Sequence, residues 1–244
     1  MCYNVSVNLT EVAKAVVPSF ITVVLGIIVL RTQLKHNRKV QAEGTFFNLL
    51  NSIRNMVANT KGKITSVSKT TFGNKTNEDH SGVTYFSEAN KELQARLSNG
   101  LSEAMVYGTF NMTGVKESKD IEVSHQMAKD IYNGFYKDHV PELAHYYRFT
   151  FNVLNFIDSN PDIPENKKIQ YANFIQSQMS DSELQLLYYN GIGVYGKKYY
   201  DLMEKYNFLQ NMDASGGKGF IEFLKNFYPK TKFRSLKSTG PEDE

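Results

Sequence analysis

The chain has 244 residues, a formal net charge of +3, one cysteine and no tryptophan, but fifteen tyrosines and sixteen phenylalanines. A lone Cys2 excludes a disulfide framework and a thiolate metal site. The modest positive balance is not that of a dedicated nucleic-acid binder, and the length allows one or two domains.

Residues 1–11 form a short N-terminus. Val12–Leu30 follows as an apolar run broken only by Lys14, and Ala15–Leu30 carries no charge. A helix of about 20 apolar residues spans a bilayer core. The run is therefore expected to be a transmembrane helix, with Lys14 snorkelling at one end and Pro18 in its first turns. Arg31, Lys35, Arg38 and Lys39 lie just beyond it, with no acid before Glu43. That asymmetry predicts an N-terminus outside, the bulk in the cytoplasm, and contact between the basic residues and anionic lipid. A cleaved signal peptide would need a basic leader and a small-residue cleavage site, and neither is present. Ala15, Ser19, Thr22 and Gly26 share one helix face, a candidate surface for homo-oligomerisation in the membrane.

Residues 31–59 form a basic, then amphipathic, juxtamembrane helix. Phe46, Leu49, Leu50, Ile53, Met56 and Val57 recur at helical spacing, so one rod should run from the membrane to about Asn59. Lys61–Ser81 is polar and reads as a loop or a short hairpin. Further helices are expected at Tyr85–Met105, Ile121–Lys137, Pro141–Ser159 and Asn166–Met179, then from the Ser180–Glu183 box to Tyr189 or Asn190, and at Lys197–Phe208 and Gly219–Tyr228. Pro141 suits a first helical turn, and Ser180 with Glu183 forms a capping box. The fold class is thus all-α, a single transmembrane helix continuing into a cytoplasmic multi-helix domain over residues 60–228. Residues 229–244 read as a disordered tail.

The Pro141–Ser159 segment is apolar over most of its circumference. Its one polar stripe is His145, Arg148, Asn152 and Asn155. The stripe is either a solvated face or a polar seam against a partner.

His145-Tyr146-Tyr147-Arg148 leads through Val153–Asp158. Tyr171–Ser180 (YANFIQSQMS) and Glu183–Asn190 (ELQLLYYN) follow, and Thr45–Leu50 precedes them. In this order the blocks resemble the phage abortive infection proteins of the AbiC-like family, over about residues 40–210. The resemblance implies a bacterial antiphage protein, an effector or sensor at the inner membrane that disables the infected cell. Membrane lipid and a phage-derived or co-encoded trigger are the implied partners, with no cofactor and no metal. The family brings no catalytic residues to carry over, and Gln176 stands where its pattern has Arg. His145, Arg148, Glu183 and Asn190 are the candidate site residues because they sit in these blocks.

The alternatives are a membrane-tethered helical ribonuclease using His145 and Arg148, or a non-enzymatic scaffold. Nucleic-acid binding stays open. Arg31–His36 has the R-x4-H spacing of some helical ribonucleases, but the topogenic charge cluster already accounts for it. The fragments at Gly73–Thr76 and Gly216–Gly219 lack the full P-loop pattern, and the histidines lack ligand spacing.

Overall fold

The computed structural model describes residues 9–67, 75–106, 118–213 and 225–233. Side chains are placed from residue 20 onward, except at 65–67, 75–77, 101–106 and 118–124. The described chain is mostly helical. Its elements are α1 (Leu9–Asn59), β1 (Lys61–Val67), β2 (Lys75–Ser81), α2 (Gly82–Val106), α3 (Ser118–Asp138), α4 (Val140–Ser159), α5 (Glu165–Gln176), α6 (Asp181–Ile192) and α7 (Lys197–Lys205).

Helix α1 is unbroken for 51 residues, a length of roughly 75 Å at the helical rise. Residues 20–41 are exposed on every side. From Ala42 onward one stripe is buried, Ala42, Phe46, Leu50, Ile53 and Val57, which is the spacing that keeps side chains on one helical face. Phe46 stacks on Tyr171 of α5 with ring centroids 4.2 Å apart.

Thr60 ends α1, its amide bonded to Met56 O and Val57 O at 3.0 and 3.1 Å. The polar stretch that follows is an antiparallel hairpin in the register Lys61↔Ser81 and Ile64↔Glu78. The all-α reading is corrected by that amount. Gly82, at φ +59°, occupies a left-handed conformation that suits glycine and turns the chain into α2. Its amide closes the hairpin base on Thr60 O at 2.8 Å.

The core collects Phe86 and Leu93 of α2, Phe135 of α3, Leu143, Tyr146 and Leu154 of α4, Leu186 and Tyr188 of α6, and Phe208. Without tryptophan, tyrosines supply much of the bulk, and each buried hydroxyl needs a partner. Tyr146 donates to Glu183 at 2.8 Å, Tyr228 to Tyr188 O at 2.9 Å, and Tyr200 to Phe227 O at 2.8 Å. Burial pushes these phenols above their ordinary range, and it pushes Tyr189 up to about 12.

Helices α1 and α4 run antiparallel. The end of α1 (Ser52, Asn55, Asn59) meets the start of α4 (Pro141, Glu142, His145). Lys35, His36 and Lys39 line one open depression with Pro161, Asp162 and Pro164, just past the end of α4.

Two expectations change here. Among the described residues, no helix is long and apolar enough to cross a membrane. The expected span Val12–Leu30 is covered only in part, because the side chains of 12–19 lie outside the description. The tail does not begin at 229 either. Tyr228 and Thr231 are buried. Thr231 donates to Glu204 Oε1 at 3.0 Å and the Lys230 amide to Glu204 Oε2 at 3.2 Å. Residues 219–224 of the expected last helix, and 234–244 of the tail, lie outside the described residues.

Candidate functional site

The four candidate residues divide into two pairs. His145 and Arg148 stand on the exposed face of α4, as do Asn152 and Asn155. Arg148 Nε donates to Ala144 O at 3.2 Å, and its Nη2 lies 3.4 Å from His145 Nδ1. The stripe is the helix's solvated face, because the buried positions Leu143, Tyr146, Tyr147, Thr150, Val153, Leu154 and Ile157 already fill the opposite side. Among the described residues the stripe forms no enclosed acid–base seam.

Glu183 and Asn190 face inward from α6. Glu183 is 2% exposed. Its amide donates to the Ser180 hydroxyl oxygen at 3.3 Å, and its carboxylate accepts from the Ser180 amide at 2.9 Å and from Tyr146 at 2.8 Å. The expected capping box is therefore present, with a tie to α4 added. Asn190 Nδ2 donates to Tyr132 OH at 3.1 Å and joins α6 to α3. Gln176, 1% exposed, donates to Phe208 O at 2.6 Å and accepts from Asn211 Nδ2 at 3.1 Å. The departure from the family's Arg thus falls at a buried clamp on the segment after α7, not in a solvent-facing site.

On α1, Arg31, Lys35, Arg38 and Lys39 are all exposed, and so is His36. Thr22 and Gly26 belong to the exposed stretch, and a Cβ at Gly26 would meet nothing within 4 Å. The side chains of Ala15 and Ser19 lie outside the description.

The structure also shows a cluster that sequence reasoning missed. His139 sits at the N-cap position of α4 and is buried. Its Nδ1 is 3.1 Å from Tyr85 OH, and its Nε2 is 3.3 Å from Glu92 Oε2. Arg96, one turn along α2, holds Glu92 and reaches Asp138 Oδ2 at 2.8 Å. Its guanidinium lies 5.7 Å from the centre of the Phe135 ring. Burial raises the Glu92 carboxyl, but His139 and Arg96 outweigh it and hold the group below the usual carboxylate range. Tyr85 is pushed far up by burial, then by Glu142 and Glu92. The local signal was Glu92 and Arg96 at i,i+4; His139 joins them only through the fold.

Beside this cluster, a depression of about 490 Å³ is lined by Ser52, Asn55, Asn59, Lys61, Glu142 and His145, among others. Among the described residues, the buried Glu142 Oε2 has no hydrogen-bond partner. Gly62 makes the packing possible, because a Cβ on it would fall 2.7 Å from Glu142 Cγ. Carboxylate, imidazole and ammonium groups around one depression can bind a polar ligand. Among the described residues no group of three His, Cys, Asp or Glu could hold a metal.

Helices α4–α7 carry both pairs of candidate residues, the Gln176 clamp and the Tyr-rich core. Residues 138–216 match the family model described as putative phage abortive infection protein. The resemblance read from the HYYR and YANFIQSQMS blocks holds. The match spans about a third of the chain, narrower than the sequence blocks suggested. Thr45–Leu50 lies outside it, and so does the α2 half of the Glu92 cluster. No curated protein and no solved structure matches the chain.

Proposed function

We propose that the protein is a bacterial antiphage protein of the abortive-infection kind, an effector or sensor held at the inner membrane by α1 with its helical domain in the cytoplasm. The match over α4–α7 is the observation that carries the defence reading. Membrane attachment is supported by a separate fact. Phe20, Ile21, Val23, Leu25, Ile27, Ile28, Val29, Leu30 and Leu34 are all exposed, a larger apolar surface than a water-borne helix leaves bare. The cations that follow favour anionic headgroups and an outside N-terminus. The apolar segment is continuous with the buried stripe Ala42–Val57, so attachment and core share one helix. Self-association of the α1 segments and a phage-derived or co-encoded trigger complete the reading, and no catalytic step is needed.

The test is a phage challenge of cells making the full chain, a chain lacking residues 1–30, or a His145→Ala chain. The full chain and His145→Ala are expected to lower phage yield by tenfold or more, and the truncation to lose that protection. Protection by the truncated chain would sink the membrane mechanism. Loss with His145→Ala would favour the ribonuclease alternative.

A further inference from the structure

From the last residues of α6 to the start of α7 the chain reads Gly191-Ile192-Gly193-Val194-Tyr195-Gly196. Its backbone is pinned from several sides. A Cβ at Gly193 would fall 2.9 Å from the Tyr132 ring, and one at Gly196 would overlap the carbonyl of Asn190. The Val194 amide donates to Asn133 Oδ1 at 3.2 Å, and the Gly193 amide to Tyr189 O at 3.0 Å. Gly191, Gly193 and Gly196 are buried. Yet the two residues at the tip are bare, Val194 at 62% and Tyr195 at 72% exposure. A short loop held this firmly could have turned its apolar pair inward or carried polar residues.

The surroundings define the surface. The Tyr195 ring lies 5.7 Å from Tyr136, which in turn lies 5.9 Å from Tyr147. Arg148, exposed on α4, is close enough for its charge to act on the Tyr136 phenol. Lys197 and Lys198 follow the loop, both exposed, and no carboxylate occurs between Gly191 and Tyr200. An exposed tyrosine backed by aromatic rings and flanked by arginine is the composition of an interface hot spot. Rigidity adds to this, since a preorganised knob loses little entropy on binding.

The geometry selects the occupant. The patch sits beside the first half of α4, whereas the bare part of α1 projects past the opposite end, beyond Pro161. Arg148 is about 16 Å along α4 from its C-terminus at the helical rise. A bilayer around Phe20–Leu30 is therefore on the wrong side to cover it. One exposed ring and a few cations make neither the stacking platform nor the long cationic track that a nucleic-acid strand needs. A cationic rim around an apolar tip suits a peptide segment that is acidic and carries apolar anchors.

We propose that the Gly191–Gly196 loop, with Val194 and Tyr195 at its tip and Arg148 beside it, docks an acidic, apolar-bearing segment of a partner protein. This surface goes beyond the defence reading and is tested without phage. The purified full chain in detergent is titrated against fluorescein-labelled 15-residue probes. One alternates Glu with Leu and Phe, one has Lys in place of Glu, one has Ser in place of Leu and Phe, and one is oligo-dT. Binding is expected for the acidic apolar probe alone. Tyr195→Ser and Arg148→Glu should each weaken it tenfold or more, while Lys63→Glu, exposed on β1, leaves it unchanged. Tyr195 and Arg148 are exposed, so thermal unfolding of the variants should match the parent chain and separate lost binding from lost fold. Equal binding of the basic probe or of oligo-dT overturns the proposal, as does binding unaffected by Tyr195→Ser or no binding of any probe.

Discussion

At the scale of single residues, Glu92 is a part-buried carboxylate whose pKa is set by the fold. It faces His139 from the α3–α4 junction and Arg96 from its own helix; Asp138, Tyr85 and Glu142 complete the charged and titratable surroundings. Because its pKa is depressed on folding, the folded state prefers the ionised form. The corresponding stability is fully present above the unfolded carboxylate range and is lost as pH falls through the folded value. Stability to urea should therefore drop between about pH 5 and pH 3. Glu92→Gln should flatten that drop and cost about 1–3 kcal/mol at pH 7, since Arg96 and His139 lose a charged partner. Parallel pH profiles for the two proteins would show that other carboxylates carry the effect. Local chemistry of this kind is legible only when the partners are close in sequence. Ser180 and Glu183 are three residues apart, and their box could be read directly. Tyr85, Glu92 and His139 are brought together by two helices and a junction, and nothing in their spacing announces it.

At the scale of elements, two glycines show how differently one substitution can act. Gly44 lies inside α1 on its exposed side, and a Cβ there would meet nothing within 4 Å. Glycine costs a helix interior backbone entropy, so Gly44→Ala should stabilise by about 0.5–1 kcal/mol. At Gly196 the same change drives a methyl into the Asn190 carbonyl and crowds Gly191. Backbone cannot swing aside as a side chain can, so Gly196→Ala should destabilise by about 1–3 kcal/mol and loosen the Val194–Tyr195 tip. Urea midpoints of the two variants should move in opposite directions; a shift of the same sign would mean the loop relaxes freely. The helices themselves were legible because period and caps are local properties. The hairpin was legible only as a possibility, since its strands are short and polar. The packing of Thr231 on Glu204 was hidden, because it joins positions 27 apart in a stretch with tail-like composition.

At the scale of the whole molecule, α1 is both a core helix and the bearer of the bare apolar segment. One end is fixed by Ala42–Val57, so the other cannot tilt independently of the domain. The cations at Arg31–Lys39 and the Pro161–Pro164 loop meet near the place where the rod leaves the core. Under the proposed reading, the bilayer begins within a few residues of that junction and the loop Val194–Tyr195 points to the far side. Attachment can then be removed without touching the fold. Leu25 and Ile28 are exposed and far from Ala42, so changing both to Lys leaves every described core contact in place. A lysine near the centre of an inserted helix costs about 2.5–3.5 kcal/mol, and two should cost roughly twice that. The parent chain is expected to float with vesicles containing anionic lipid. The double Lys variant should stay in the soluble fraction and unfold at the same temperature. Flotation of the double variant at the parent's level would place attachment elsewhere in the chain. A lowered unfolding temperature would mean that the bare segment packs on the domain in water, and membrane entry would then have to begin by pulling it away.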